Sequence, residues 1–109
     1  MKGKKINNWD KFGEVNKKSI DSCFQYLSKA LIFPISGEVS QETGSFKERT
    51  FKLVLHTICH TEDDFYGILA EGKSEHKAVV IALAEFSANE SDTNYQLIED
   101  YKDWFWNNR

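Results

Sequence analysis

A chain of 109 residues has room for one compact domain. Its apolar content of 40%, with eight Phe, four Tyr and three Trp, supplies a core and excludes wholesale disorder. The net charge of −3 is unevenly placed: residues 1–53 carry ten Lys/Arg against six Asp/Glu, and residues 54–109 carry four against eleven. An acidic C-terminal half repels phosphate backbones and attracts cations, which argues against a nucleic-acid partner.

The basic start, MKGKK, has no interleaved aromatic to stack on a base and no apolar run of a signal peptide behind it. Nowhere does the chain approach the ~20 apolar residues of a membrane span. The expectation is a cytoplasmic protein with no membrane partner, its two cysteines reduced.

Residues 1–13 read as a loosely ordered lead-in, with Trp9 and Phe12 as anchors onto a single domain over 14–109. In NKKSIDSCFQYLSKALIF the positions Ile20, Cys23, Phe24, Leu27, Ala30 and Leu31 recur at i, i+3, i+4, i+7, the stripe of an amphipathic helix. Pro34 stops it, because the residue before a proline is pushed out of the helical region. Cys23 falls on the stripe and reads as a small core hydrophobe.

Beyond Pro34 the period changes to two. ISGEVS gives a strand, QETGS a turn, and FKERTFKLVLHTICHT a long strand with Phe51, Leu53 and Leu55 on one face. The alternation slips between Leu55 and Ile58, which predicts a bulge. FYGILAE and HKAVVIAL supply two more strands, joined by the turn residues EGKSE. The last segment is a second helix, started by Asp92 or by a Thr93-x-x-Gln96 capping box, with Leu97, Ile98, Tyr101, Trp104 and Phe105 on its apolar face. The fold class expected is α+β: a small, partly closed antiparallel β-barrel (SH3-like) of four or five strands between two helices.

HTICHTEDDFYG, residues 56–67, is where chemistry concentrates. A soft-metal site fits it poorly. On a strand His56 and His60 stand about 13 Å apart at ~3.3 Å per residue, and Cys59 points to the opposite face. Val54, Thr57, Ile58 and Thr61 disfavour a helix that would bring the histidines together. Cys59 then reads as a core residue. No nucleophile elbow, dinucleotide fingerprint or P-loop is present, so no enzymatic activity is expected.

A hard cation suits the acids better, since oxygen ligands at ~2.3–2.6 Å and accumulated negative charge favour calcium. Glu62, Asp63 and Asp64 sit in a turn between strands. An EF-hand is excluded, because counting from Glu62 puts Tyr66 in the fifth place and Lys73 in the twelfth. Further ligands would have to come from elsewhere in the acidic half, with Glu71, Glu85, Glu90 and Asp92 nearest. The residues alone leave open the plainer reading, in which the acids keep a loop soluble.

Three stretches add a resemblance. NYQLIEDYKDWFWNNR resembles the C-terminal ending of the cyanobacterial calcium-binding protein (CcbP-like) family, N-Y-Q-L-x-x-D-Y-x-x-W-F-x-N-R. The acidic turn before Tyr66-Gly67-Ile68 looks like that family's D-Y-G-I turn, and Ile32-Phe33-Pro34-Ile35 is similar to its L-x-F-P-F. The resemblance implies a bacterial, cytoplasmic, non-EF-hand calcium sensor or buffer on a helix-flanked barrel. Asp63 and Asp64 are then the first metal ligands, with Glu62, Glu85, Glu90 and Asp92 as helpers. There are departures: Phe65 replaces an acid before Tyr-Gly, and the P-L-x-D-L-E stretch survives as Ala82-Leu83-Ala84-Glu85-Phe86-Ser87, with Asn89 at the next acidic position. Fewer carboxylates mean a weaker site. The alternative expectation is a protein-interaction module on the same fold with a decayed site, its partner an unidentified protein. A surface cluster of Trp9, Phe12 or Trp106 would favour that alternative.

Overall fold

The computed structural model describes residues 8–42, 48–59 and 66–108. Helix α1 spans Lys17–Ala30. Asn16 starts it through a reciprocal capping box, in which the Asn16 side chain accepts the Ser19 N–H and the Ser19 hydroxyl accepts the Asn16 N–H, both at 2.9 Å. The apolar stripe behaves as its spacing dictates: Ile20, Cys23, Leu27 and Leu31 are buried and Phe24 packs beside them. The helix ends at Ala30, four residues ahead of the cis Phe33–Pro34 peptide.

Strands β1 (Ile35–Glu42), β2 (Glu48–Cys59), β3 (Leu69–Ser74), β4 (Lys77–Ala82) and β5 (Phe86–Ala88) form one antiparallel sheet in the order β4-β3-β2-β1-β5. With α1 and a C-terminal helix α2 (Tyr95–Asn107), the class is α+β as expected. Among the described residues five strands are present, the last only three residues long.

The sheet is not closed into a barrel. Among the described residues β4 pairs with β3 alone and β5 with β1 alone, so both remain edges. After Ala82 the chain winds into a 3-10 turn, Leu83–Glu85, instead of carrying β4 onward to meet β5. That turn nevertheless joins opposite edges of the sheet. Laid flat, four strand spacings of ~4.8 Å would hold the edges about 19 Å apart. A three-residue link rising ~2 Å per residue covers far less. The sheet therefore curls around its core face, which carries Val39, Leu53, Leu55, Ile58, Ala70 and Phe86.

The bulge falls where the alternation slips, with the β2–β3 register shifting between Leu55 and Thr57 and leaving His56 unpaired. Gly72 belongs to strand β3 and not to a turn as the EGKSE reading expects. It pairs with Leu55 beside the bulge, where a Cβ would fall onto the Val54 carbonyl oxygen. The turn itself is Glu75-His76, both at positive φ (51° and 73°). The sequence ILAEGKSEHKAVV offers glycine as the obvious turn residue, but close backbone approach takes it instead.

Helix α2 starts two residues later than Thr93, so the expected Thr93–Gln96 capping box is not formed. Asp92 Oδ1 accepts the Asn94 N–H at 2.7 Å instead. Ile98, Tyr101, Trp104 and Phe105 are buried, as their spacing predicts, and Leu97 packs at the margin. Trp9 is buried in a 3-10 turn, Asn8–Phe12, with its ring 5.1 Å from Phe12, 5.6 Å from Tyr26 and 6.3 Å from Trp104. The Trp104 indole N–H donates to Gly13 O at 2.7 Å, which ties this segment to α2. Of the three aromatics weighed as a surface cluster, Trp106 alone is largely exposed, and its indole N–H donates to Ala84 O at 3.2 Å.

Candidate functional site

All five strands bring one end to the same side of the sheet: Ile35, Cys59, Leu69, Ala82 and Ala88. Residues 66–68 ahead of Leu69, Leu83–Glu85 after Ala82 and the residues after Ala88 therefore lie at that side. In the chain, the sequence-predicted site residues fall in three connections: between β2 and β3, after β4 and after β5. Glu62, Asp63 and Asp64, between β2 and β3, lie outside the described residues, as does His60.

The downstream flank is Tyr66-Gly67-Ile68. Gly67 has φ +73°, and a Cβ there would sit 2.5 Å from the Tyr101 hydroxyl and 2.7 Å from Phe105 Cε1. Only glycine meets both demands, a left-handed backbone and direct contact with α2. The Ile68 N–H donates to the Tyr101 hydroxyl at 3.0 Å, and Ile68 and Tyr101 are both fully buried. The chain thus leaves the acidic turn clamped onto α2, while Tyr66 stays half exposed at 52%.

The upstream flank is Cys59. It is not the core residue that its neighbours suggest, because the bulge at His56 turns it to the outer face of the sheet. Its Sγ–H donates to Glu71 Oε2 at 2.8 Å. Partial burial, and then the Glu71 hydrogen bond and charge, push the thiol up to about 11. A soft-metal ligand must be a thiolate, so this environment works against one. Glu71 is in turn engaged with a neutral donor.

Glu85, in the 3-10 turn after β4, lines a shallow depression of about 330 Å3 with Tyr66, Leu69, Val80 and Ala82. It is therefore next to the residue that ends the acidic turn. Glu90 is exposed in the β5–α2 connection, where its charge and, more strongly, that of Glu99 raise the pKa of Tyr95. Asp92 is committed to structure. Its Oδ1 takes the Asn94 N–H at 2.7 Å and the Asn94 side-chain N–H at 2.6 Å. The buried Asn94 then accepts the Ile32 N–H at 2.8 Å and donates to Ile32 O at 2.9 Å, tying the start of α2 to the link between α1 and β1.

Of the predicted helpers, Glu85 stands beside the turn's exit, and Glu90 and Asp92 stand at the start of α2. Among the described residues no three His, Cys, Asp or Glu side chains gather as metal ligands. The described carboxylates alone therefore do not fit a calcium ion, and a site at this end of the sheet depends on the turn acids. Sequence reading missed Tyr101 and Asn94 as positioning residues. The signal for the first was present, since a Y-G-I exit and a buried helix tyrosine are complementary. Nothing in the sequence links Asn94 to Ile32, 62 positions away.

Solved structures with this fold exist. Anabaena CcbP superposes with a TM-score of 0.69 at 14% identity, covering 95% of this chain and 94% of its own. A calcium-binding protein in its calcium-binding form superposes with a TM-score of 0.65 at 15% identity, covering 83% of this chain and 76% of its own. At these identities the likeness establishes a CcbP-like fold. No family model and no curated protein sequence matches the chain.

Proposed function

We propose that this protein binds calcium without an EF-hand, through oxygen ligands of the turn between β2 and β3. The carrying observation is the near-full-length superposition on Anabaena CcbP, joined by a second match to a protein described in its calcium-binding form. The position of the turn supports it. Glu62, Asp63 and Asp64 stand in sequence between two flanks fixed to the sheet and to α2, and Glu85 lies beside Tyr66. Asp63 and Asp64 are the proposed primary ligands, with Glu62 and Glu85 next and Glu90 and Asp92 as outer charge. Bound calcium would neutralise clustered carboxylates that otherwise repel.

The role is that of a cytoplasmic sensor or buffer, not an enzyme. Calorimetric titration with calcium, and with magnesium as control, tests the proposal. Heat with calcium that is lost in Asp63→Asn with Asp64→Asn supports it. No heat in the wild type refutes it.

A further inference from the structure

Strand β4 is an edge with little of the usual protection. Natural edges are blunted by a lysine, a proline or a bulge within the strand, which discourages pairing with another chain. The one lysine of β4, Lys77, is its first residue, and residues 78–82 read Ala-Val-Val-Ile-Ala, with no charge, proline or bulge. Val80, at the centre, is 60% exposed. Among the described residues β4 pairs with β3 alone, so its other row of N–H and C=O groups faces outward.

The charges at its two ends differ in sign. Lys77 opens the strand, and Glu85 closes the 3-10 turn just after it. Neither makes an ion pair or a side-chain hydrogen bond among the described residues. Among the described residues Glu85 is also the one charged residue lining the depression it shares with Tyr66, Leu69, Val80 and Ala82. An apolar strand with a cation at one end and an anion beyond the other is complementary to itself when reversed.

We infer that β4 pairs antiparallel with β4 of a second copy, about a two-fold axis passing beside Val80. Opposed residues must project to the same face of the joined sheet, which requires their numbers to sum to an even value. Pairing Val80 with its own counterpart meets this and sets Ala78 opposite Ala82, using only strand residues. The second copy's Lys77 then falls beyond Ala82, beside Glu85 and its depression, and the contact occurs twice by symmetry. The two sheets merge into one of ten strands. Five paired residues bury less than the ~1,000 Å2 of a stable interface, so the dimer is weak and reversible.

Sedimentation velocity from about 5 to 500 μM, in EDTA so that calcium plays no part, tests this. The expected result is a concentration-dependent monomer–dimer equilibrium. Val80→Lys, at an exposed site where folding is verified by circular dichroism, abolishes the dimer. Lys77→Glu and Glu85→Lys each weaken it several-fold, and the two together restore it. A monomer at every concentration overturns the inference, and leaves the edge to a strand from a different protein. Open-ended assembly overturns it as well, since a two-fold contact closes. Loss with Val80→Lys but no rescue by the double charge reversal overturns the antiparallel register. Because calcium is absent throughout, failure here is separate from failure of the calcium proposal.

Discussion

The Tyr101 hydroxyl accepts the backbone N–H of Ile68 at 3.0 Å inside the core, 33 positions away in sequence. It does so at the residue that follows Gly67, whose missing Cβ leaves room for that same hydroxyl. Helix α2 therefore fixes the point where the acidic turn joins the sheet. Tyr101→Phe keeps the ring and strands a buried N–H, at a cost of about 1–3 kcal/mol. Urea unfolding should show that loss. Under the proposed function, calcium affinity should fall as well, because the turn loses its fixed exit.

The β3–β4 hairpin carries avoidable strain. Glu75 and His76 both hold positive φ, which Asn-Gly adopts far more readily in a two-residue turn. Replacing them together (Glu75→Asn with His76→Gly) should stabilise the fold by about 1 kcal/mol. The readout is the urea midpoint. A destabilised double variant would mean that one of the two native side chains makes a compensating contact.

Cys23 sets an alkaline limit. Burial against the core, slightly offset by the charge of Lys11, pushes its thiol from 9.0 up to about 12. The sign follows from which state releases the proton first. Below pH 9 the thiol is protonated in both states and contributes no slope. Above it the unfolded chain ionises while the native chain does not, so stability falls as pH rises toward 12. Cys59, pushed up to about 11, adds in the same direction. Comparing urea midpoints at pH 7.5 and 10.5 should show a drop in the wild type that is smaller in Cys23→Ala, whatever that cavity costs at neutral pH.

Periodic signals carried most of the fold. The stripe of α1, the aromatic face of α2, the long strand with its slip after Leu55 and the burial of Cys23 all follow from local spacing. Long-range demands caused the errors. Gly72 serves a close approach to Val54 and not a turn, and Cys59 is rotated outward by the bulge upstream of it. Thr93 loses the helix start because Asp92 and Asn94 are occupied in holding the α1–β1 link. Barrel closure could not be read from strand count, because it depends on whether β4 runs on or winds into the Leu83–Glu85 turn. For the candidate site, residue types were legible and their convergence was not, since Glu85 meets Tyr66 through the β3–β4 register, which sets Ala82 opposite Leu69.

Thermal unfolding with and without calcium, in the wild type and in Asp63→Asn with Asp64→Asn, bears most directly on the proposed function. A ligand at a hundred times its dissociation constant stabilises a native state by about 2.7 kcal/mol. The wild type should gain several degrees in calcium and none in magnesium at the same concentration, and the double variant should gain none in either. An equal calcium gain in the double variant, or no gain in the wild type, would contradict calcium binding by these two residues.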